Sequence, residues 1–144
     1  MTYDITNPQS VFDHVVSSII VQGKPSIGTI TRFGKIEVTC KYRGENGAKC
    51  AAGHLIPDAK YTPEIEGLAS YTPQVQELIG VPDSGPIAAL INQLQGAHDR
   101  AASEDGTMEA ESFAKVTPEQ FVESFKTKAQ KVAVGFELNA SVAQ

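Results

Sequence analysis

The two cysteines of the chain, Cys40 and Cys50, both fall within CKYRGENGAKCAAGHLIPD, residues 40–58, together with His54, one of only three histidines. Thiols and an imidazole this close in sequence raise three kinds of chemistry. A nucleophilic Cys50 would need a base, and His54 follows it by four residues, one helical turn. His98 and Asp99, or Asp58, would complete a Cys-His-acid set. A helix starting just after Cys50 would also lower the pKa of its thiol. Cys50, His54 and His98 are therefore the candidate catalytic residues, although no cysteine-hydrolase signature surrounds them. His98 shares one side of its segment with Ile87, Ile91 and Leu94, which fits a histidine at the edge of a core. A zinc site would draw on Cys40, Cys50 and His54, but the C-x9-C-x3-H spacing matches no common structural zinc pattern. Gly44, Gly47 and Gly53 form neither a P-loop nor a dinucleotide fingerprint. Neither a metal nor a cofactor is expected, and a binding role is favoured over an enzymatic one.

Charge points to a contact surface. Residues 24–57 hold six basic side chains and two acidic ones, a net of +4. Residues 58–114 hold two basic and ten acidic side chains, a net of −8. Within the basic half, Arg32, Lys41, Tyr42, Arg43 and Lys49 are the candidate contacts for a protein partner or an anionic nucleotide. The whole chain carries −5 and is not basic enough for general nucleic-acid binding.

These side chains must be placed by a small set of elements. Four segments begin with a capping residue followed by proline: Asn7-Pro8, Thr62-Pro63, Thr72-Pro73 and Thr117-Pro118. Gln120 completes a capping box with Thr117. Apolar spacing predicts helices over 8–22, 73–79, 86–101 and 118–134, with Gly23, Gly80 and Gly135 as stops and Pro25 and Pro82 beyond the first two. Residues 101–107 read as an acidic, polar loop. Ile36, Val38, Cys40 and Tyr42 alternate with polar residues, as a half-buried strand does. Residues 27–33 are a further candidate strand. Gly44-Glu45-Asn46-Gly47 reads as the turn of a hairpin that returns over 48–51. With a two-residue or a four-residue loop in that hairpin, Cys40 and Cys50 face opposite sides, which argues against a disulfide and sends Cys40 to the core. Only an odd loop would oppose them. Gly47 fits the positive φ of a tight turn, and Gly53 a close backbone approach.

The expectation is one α+β domain over 1–144, with a small antiparallel hairpin or three-stranded sheet packed against four to five helices. A chain of this length can bury a single core, and 41% apolar with 20% charged residues is ordinary for a globular protein. No apolar run approaches the roughly 20 residues that cross a bilayer. The N-terminal stretch MTYDITNPQS has no signal-peptide character, so a cytoplasmic setting with reduced thiols is expected.

The run C-x-Y-R-G-x-x-G-x-x-C-A-x-G-x-L-I-P-D, with Tyr61, Pro63, Glu66 and Gly67 after it, resembles a family of small, uncharacterised bacteriophage and prophage proteins. Leu94-Gln95-x-x-His98-Asp99 and the amphipathic C-terminal helix share the resemblance, which spans Val11 to about Val134. It brings no catalytic residues. It implies a phage product acting in the host bacterial cytoplasm, of the accessory kind that binds a host or defence-system protein and inhibits or redirects it.

Overall fold

The computed structural model describes residues 2–81, 85–105 and 109–144. Helix α1 (Pro8–Gln22) is followed by strands β1 (Ile27–Arg32) and β2 (Lys35–Cys40), then by three 3₁₀ turns at Ala52–Leu55, Asp58–Lys60 and Pro63–Ile65. Helices α2 (Pro73–Ile79), α3 (Pro86–Ala101), α4 (Ala110–Ala114) and α5 (Pro118–Gly135) complete the fold, with a last 3₁₀ turn at Ser141–Ala143. The architecture is α+β, and among the described residues it holds one two-stranded antiparallel sheet and five α-helices.

The helix starts follow local chemistry. The Asn7 side chain accepts the Ser10 amide hydrogen, and Thr117 and Gln120 form the full capping box. Thr72 starts α2 with no side-chain cap, and Thr62-Pro63 starts only a single 3₁₀ turn. Gly23 and Gly80 end α1 and α2 in the left-handed conformation. Pro82, together with residues 106 and 107 of the acidic loop, lies outside the described residues.

The core is helical. Phe12, Val15, Val16 and Ile19 of α1 meet Leu90, Ile91, Leu94 and Ala97 of α3 and Phe121, Phe125 and Ala129 of α5, all essentially inaccessible to solvent. Fully burying each of these larger side chains contributes about 1.5–3 kcal/mol. Beside this three-helix core stands the hairpin, paired Ile27↔Cys40 at its base and Arg32↔Lys35 at its tip. Ile27, Val38 and Cys40 pack against the core, whereas the tip is solvated.

The hairpin differs from the one expected. Its turn is Phe33-Gly34, not Asn46-Gly47, and residues 48–51 form no strand. Gly44–Gly47 is a turn, closed by Gly47 N–H donating to Gly44 O at 3.2 Å, but it links loop to loop. The reason lies in where the backbone donors go. Lys41 N–H donates to Ser26 O, and the amides of Tyr42 and Arg43 donate to the two Glu66 carboxylate oxygens at 2.9 and 3.1 Å. A side chain thus takes the donors that a returning strand would have used. Gly47 does take positive φ, and Gly53 is a close approach: a Cβ there would stand 2.4 Å from Tyr42 O.

Candidate functional site

The loop from Cys40 to Gly67 folds around one side chain. Arg43 is only 17% exposed and donates from Nη1 to Gly53 O (2.8 Å) and Tyr42 O (3.2 Å). From Nη2 it donates to Ile56 O (2.7 Å) and to Asp58 Oδ1 (2.9 Å), and its guanidinium lies 4.9 Å from the Tyr61 ring centre. Lys49 joins Asp58 at 3.3 Å. The Tyr61 hydroxyl donates to Glu66 Oε2 at 2.7 Å; partial burial first, and then this bond, raise its pKa to about 12. Asp58 is held below its usual carboxylate range by Lys49 and Arg43.

Next to this loop the base of the hairpin, the loop at 67–70 and α3 border a half-open polar cavity of about 410 Å³. Its walls include Cys40, Cys50, Ser70, Asn92, Gln95 and Asp99, with Arg32, Lys41 and Arg100 around them. Cys40 and Cys50 therefore line one space instead of opposite faces. Strand parity does not apply beyond Cys40, because the chain leaves the sheet there. Both are free thiols.

Asp99 organises the wall. One of its carboxylate oxygens accepts from Gln95 Nε2 (2.8 Å) and His98 Nδ1 (2.9 Å), and the Cys40 sulfur lies within 4.8 Å of it. Gln95 Oε1 in turn accepts the Ala52 amide hydrogen at 2.9 Å. His98 is wholly buried, and its Nε2 accepts from Ser26 N–H at 3.1 Å, so the ring proton resides on Nδ1, facing Asp99. Ser26 Oγ closes the network by donating toward Lys41 O and Ala48 O, at 2.6 and 3.1 Å.

This geometry bears on the three chemistries. Burial pushes both thiols well up, Cys50 despite a 3.4 Å bond from Gly53 N–H, and the nearby Asp99 charge raises them further. An activated nucleophile needs the opposite shift. His54 does sit one turn after Cys50, with its amide donating to Cys50 O, but its Nε2 has no hydrogen-bond partner and does not engage the sulfur. Burial, and then Lys49, His14, His98 and Arg43, lower the His54 pKa to about 4. Cys40 Sγ, His98 Nδ1 and an Asp99 oxygen lie within 4.8 Å of one another, a spacing that a metal ion could use. Metal on Nδ1 would move the ring proton to Nε2, directly against the Ser26 N–H donor, whereas metal-bound histidines normally point that proton at an acceptor. The cluster works as a hydrogen-bond network.

The five expected contact residues divide. Arg32, Lys41 and Tyr42 line the cavity, with the Tyr42 hydroxyl donating to Leu68 O at 2.6 Å. Arg43 and Lys49 are joined to Asp58 instead. Asn92, Gln93 and Arg100 are further cavity residues that the sequence reading passed over. The available signal was Gly96: a mid-helix glycine costs about 1 kcal/mol relative to alanine, so it marks a close approach within a polar stripe.

A second surface lies at the hairpin tip. Phe33, between Arg32 and Lys35, is 97% exposed, and Ile36 just after Lys35 is 76% exposed. Phe33 and Gly34 both have positive φ, 52° and 77°.

Comparison with known proteins finds no matching family model, curated protein or solved structure. No helix among the described residues is long and apolar enough to cross a membrane.

Proposed function

We propose that the chain is a non-enzymatic bacteriophage accessory protein that docks on a host or defence-system protein in the bacterial cytoplasm through the tip of its β-hairpin. The phage setting comes from the resemblance of residues 40–58, and the observation that carries the docking is Phe33. A two-residue hairpin turn with positive φ at both positions favours Asn-Gly, and a bulky residue in the left-handed region costs on the order of 1 kcal/mol. Phe33 bears that cost and buries almost nothing within its own chain. A strained, solvated aromatic has no use in folding, but an anchor in a partner's apolar pocket is a common use for one. Lys35 beside it, and the net +4 of residues 24–57, suit a pocket rimmed by carboxylates.

Phe33→Asn tests this, because Asn-Gly keeps the turn while removing the anchor. The wild-type chain should retain a discrete host protein from bacterial lysate. The variant, melting at the same temperature or higher, should bind that protein at least roughly tenfold more weakly. Equal retention by the two chains, or no protein retained by the wild type across several hosts, overturns the proposal.

A further inference from the structure

From the cavity between the hairpin base and α3, we infer a second binding site, distinct from the Phe33 anchor, for a phosphorylated small molecule of about nucleotide size. Three cations reach the cavity, Arg32, Lys41 and Arg100, against a single carboxylate, Asp99. Asp99 already accepts from Gln95 and His98, so it makes little demand on those cations. The cations are poorly matched within the chain. Arg100 makes no ion pair among the described residues, and Arg32 stands 4.0 Å from Glu37, beyond hydrogen-bond reach. Lys41 Nζ donates to Thr29 O at 3.2 Å and is 4.0 Å from Glu45, although its side chain is only 16% exposed.

The two guanidiniums are seated by glycines. A Cβ at Gly96 would stand 2.9 Å from Arg100 Nη1, so the missing side chain lets that arginine fold back along α3. A Cβ at Gly67, where φ is +87°, would stand 3.2 Å from Arg32 Nη2. Two arginine forks held at one cavity, with an ammonium group nearby, suit the several oxygens of a phosphate group. A volume of about 410 Å³ is within the range of small-molecule sites and leaves room for more than the phosphate.

The test uses AMP, pyrophosphate and adenosine as probes on the full chain, read by calorimetric titration and thermal melting. AMP and pyrophosphate should bind and raise the melting temperature, adenosine should do neither, and affinity should fall as salt rises. Arg100→Gln, on the exposed side of α3, should weaken AMP by roughly tenfold or more. Gly96→Ala should also weaken it while melting at the same temperature or higher, because alanine favours the helix. Phe33→Asn should leave AMP binding unchanged, which separates this site from the hairpin tip. Absence of binding by both anions, adenosine binding as tightly as AMP, or equal AMP affinity in the wild type and Arg100→Gln overturns the inference.

Discussion

Replacing Arg43 with methionine should cost stability and not ligand affinity. The methionine keeps most of the apolar stem but removes every donor. The guanidinium is the donor to Ile56 O at 2.7 Å and to Tyr42 O at 3.2 Å, both in buried residues, whereas Gly53 O keeps the Ile56 amide hydrogen at 3.3 Å. A buried acceptor left without a partner costs about 1–3 kcal/mol, so the two together come to about 3 kcal/mol. The lost stacking on Tyr61 adds about 0.5–1 kcal/mol. The total, about 4 kcal/mol, is a large share of the 5–15 kcal/mol typical of a domain and corresponds to a melting shift of roughly 10 °C. Arg43→Lys should recover less than half, because one ammonium cannot reach both carbonyls with a rigid fork. Asp58→Asn, at the exposed end of the same guanidinium, should move the midpoint little. Urea unfolding with unchanged m-value is the assay. An Arg43→Met midpoint within about 1 kcal/mol of wild type, or no lower than that of Asp58→Asn, refutes the reasoning.

Two further outcomes follow from buried titratable groups. His54 takes up a proton near pH 6.5 when unfolded but only near 4 when folded, so the unfolded state binds more protons between those values. Its contribution is whole above pH 6.5 and is lost as the pH falls toward 4, by at most about 3 kcal/mol. His54→Gln should flatten that slope in unfolding measured from pH 7.5 to 4, and an unaltered slope would assign the acid sensitivity elsewhere. Native Cys40 and Cys50 should react with iodoacetamide roughly a hundredfold more slowly than in denaturant, because burial holds both thiols protonated. A Cys50 that is fast in the native state would restore the case for a cysteine enzyme.

Much of the helical framework was legible in the sequence because caps, prolines and apolar spacing act within one element. Asn7, Thr117 and Gln120 do in the structure what their positions suggested. The hairpin was misplaced because Asn46-Gly47 is the stronger local turn signal, yet long-range bonds decided the outcome. Glu66, more than twenty residues from Tyr42 and Arg43, takes their amides and ends the ladder. No local pattern contains that information. The cavity was hidden for a related reason: its residues come from β1, β2, the segment 41–50, the 67–70 loop and α3, which come together only after folding.

The structure also accounts for the run from Cys40 to Gly67 and for Gln95, His98 and Asp99 residue by residue. Gly53 is required by its contact with Tyr42 O, Arg43 by the carbonyls of Gly53 and Ile56, and Glu66 by two backbone amides and the Tyr61 hydroxyl. Gln95 fastens α3 to that loop through Ala52 N–H, His98 fastens it to Ser26 N–H, and Asp99 holds both side chains. Each of these motif residues has an intramolecular partner that accounts for its chemical type. The side chains with poor partners lie mostly outside the motif: Phe33 at the tip, and Arg32, Gln93 and Arg100 at the cavity. A motif can therefore specify this scaffold in detail and leave recognition to residues that it does not include. Substitution at Arg43 or Glu66 should unfold the loop, whereas substitution at Phe33 or Arg100 should leave the fold intact and change what it binds.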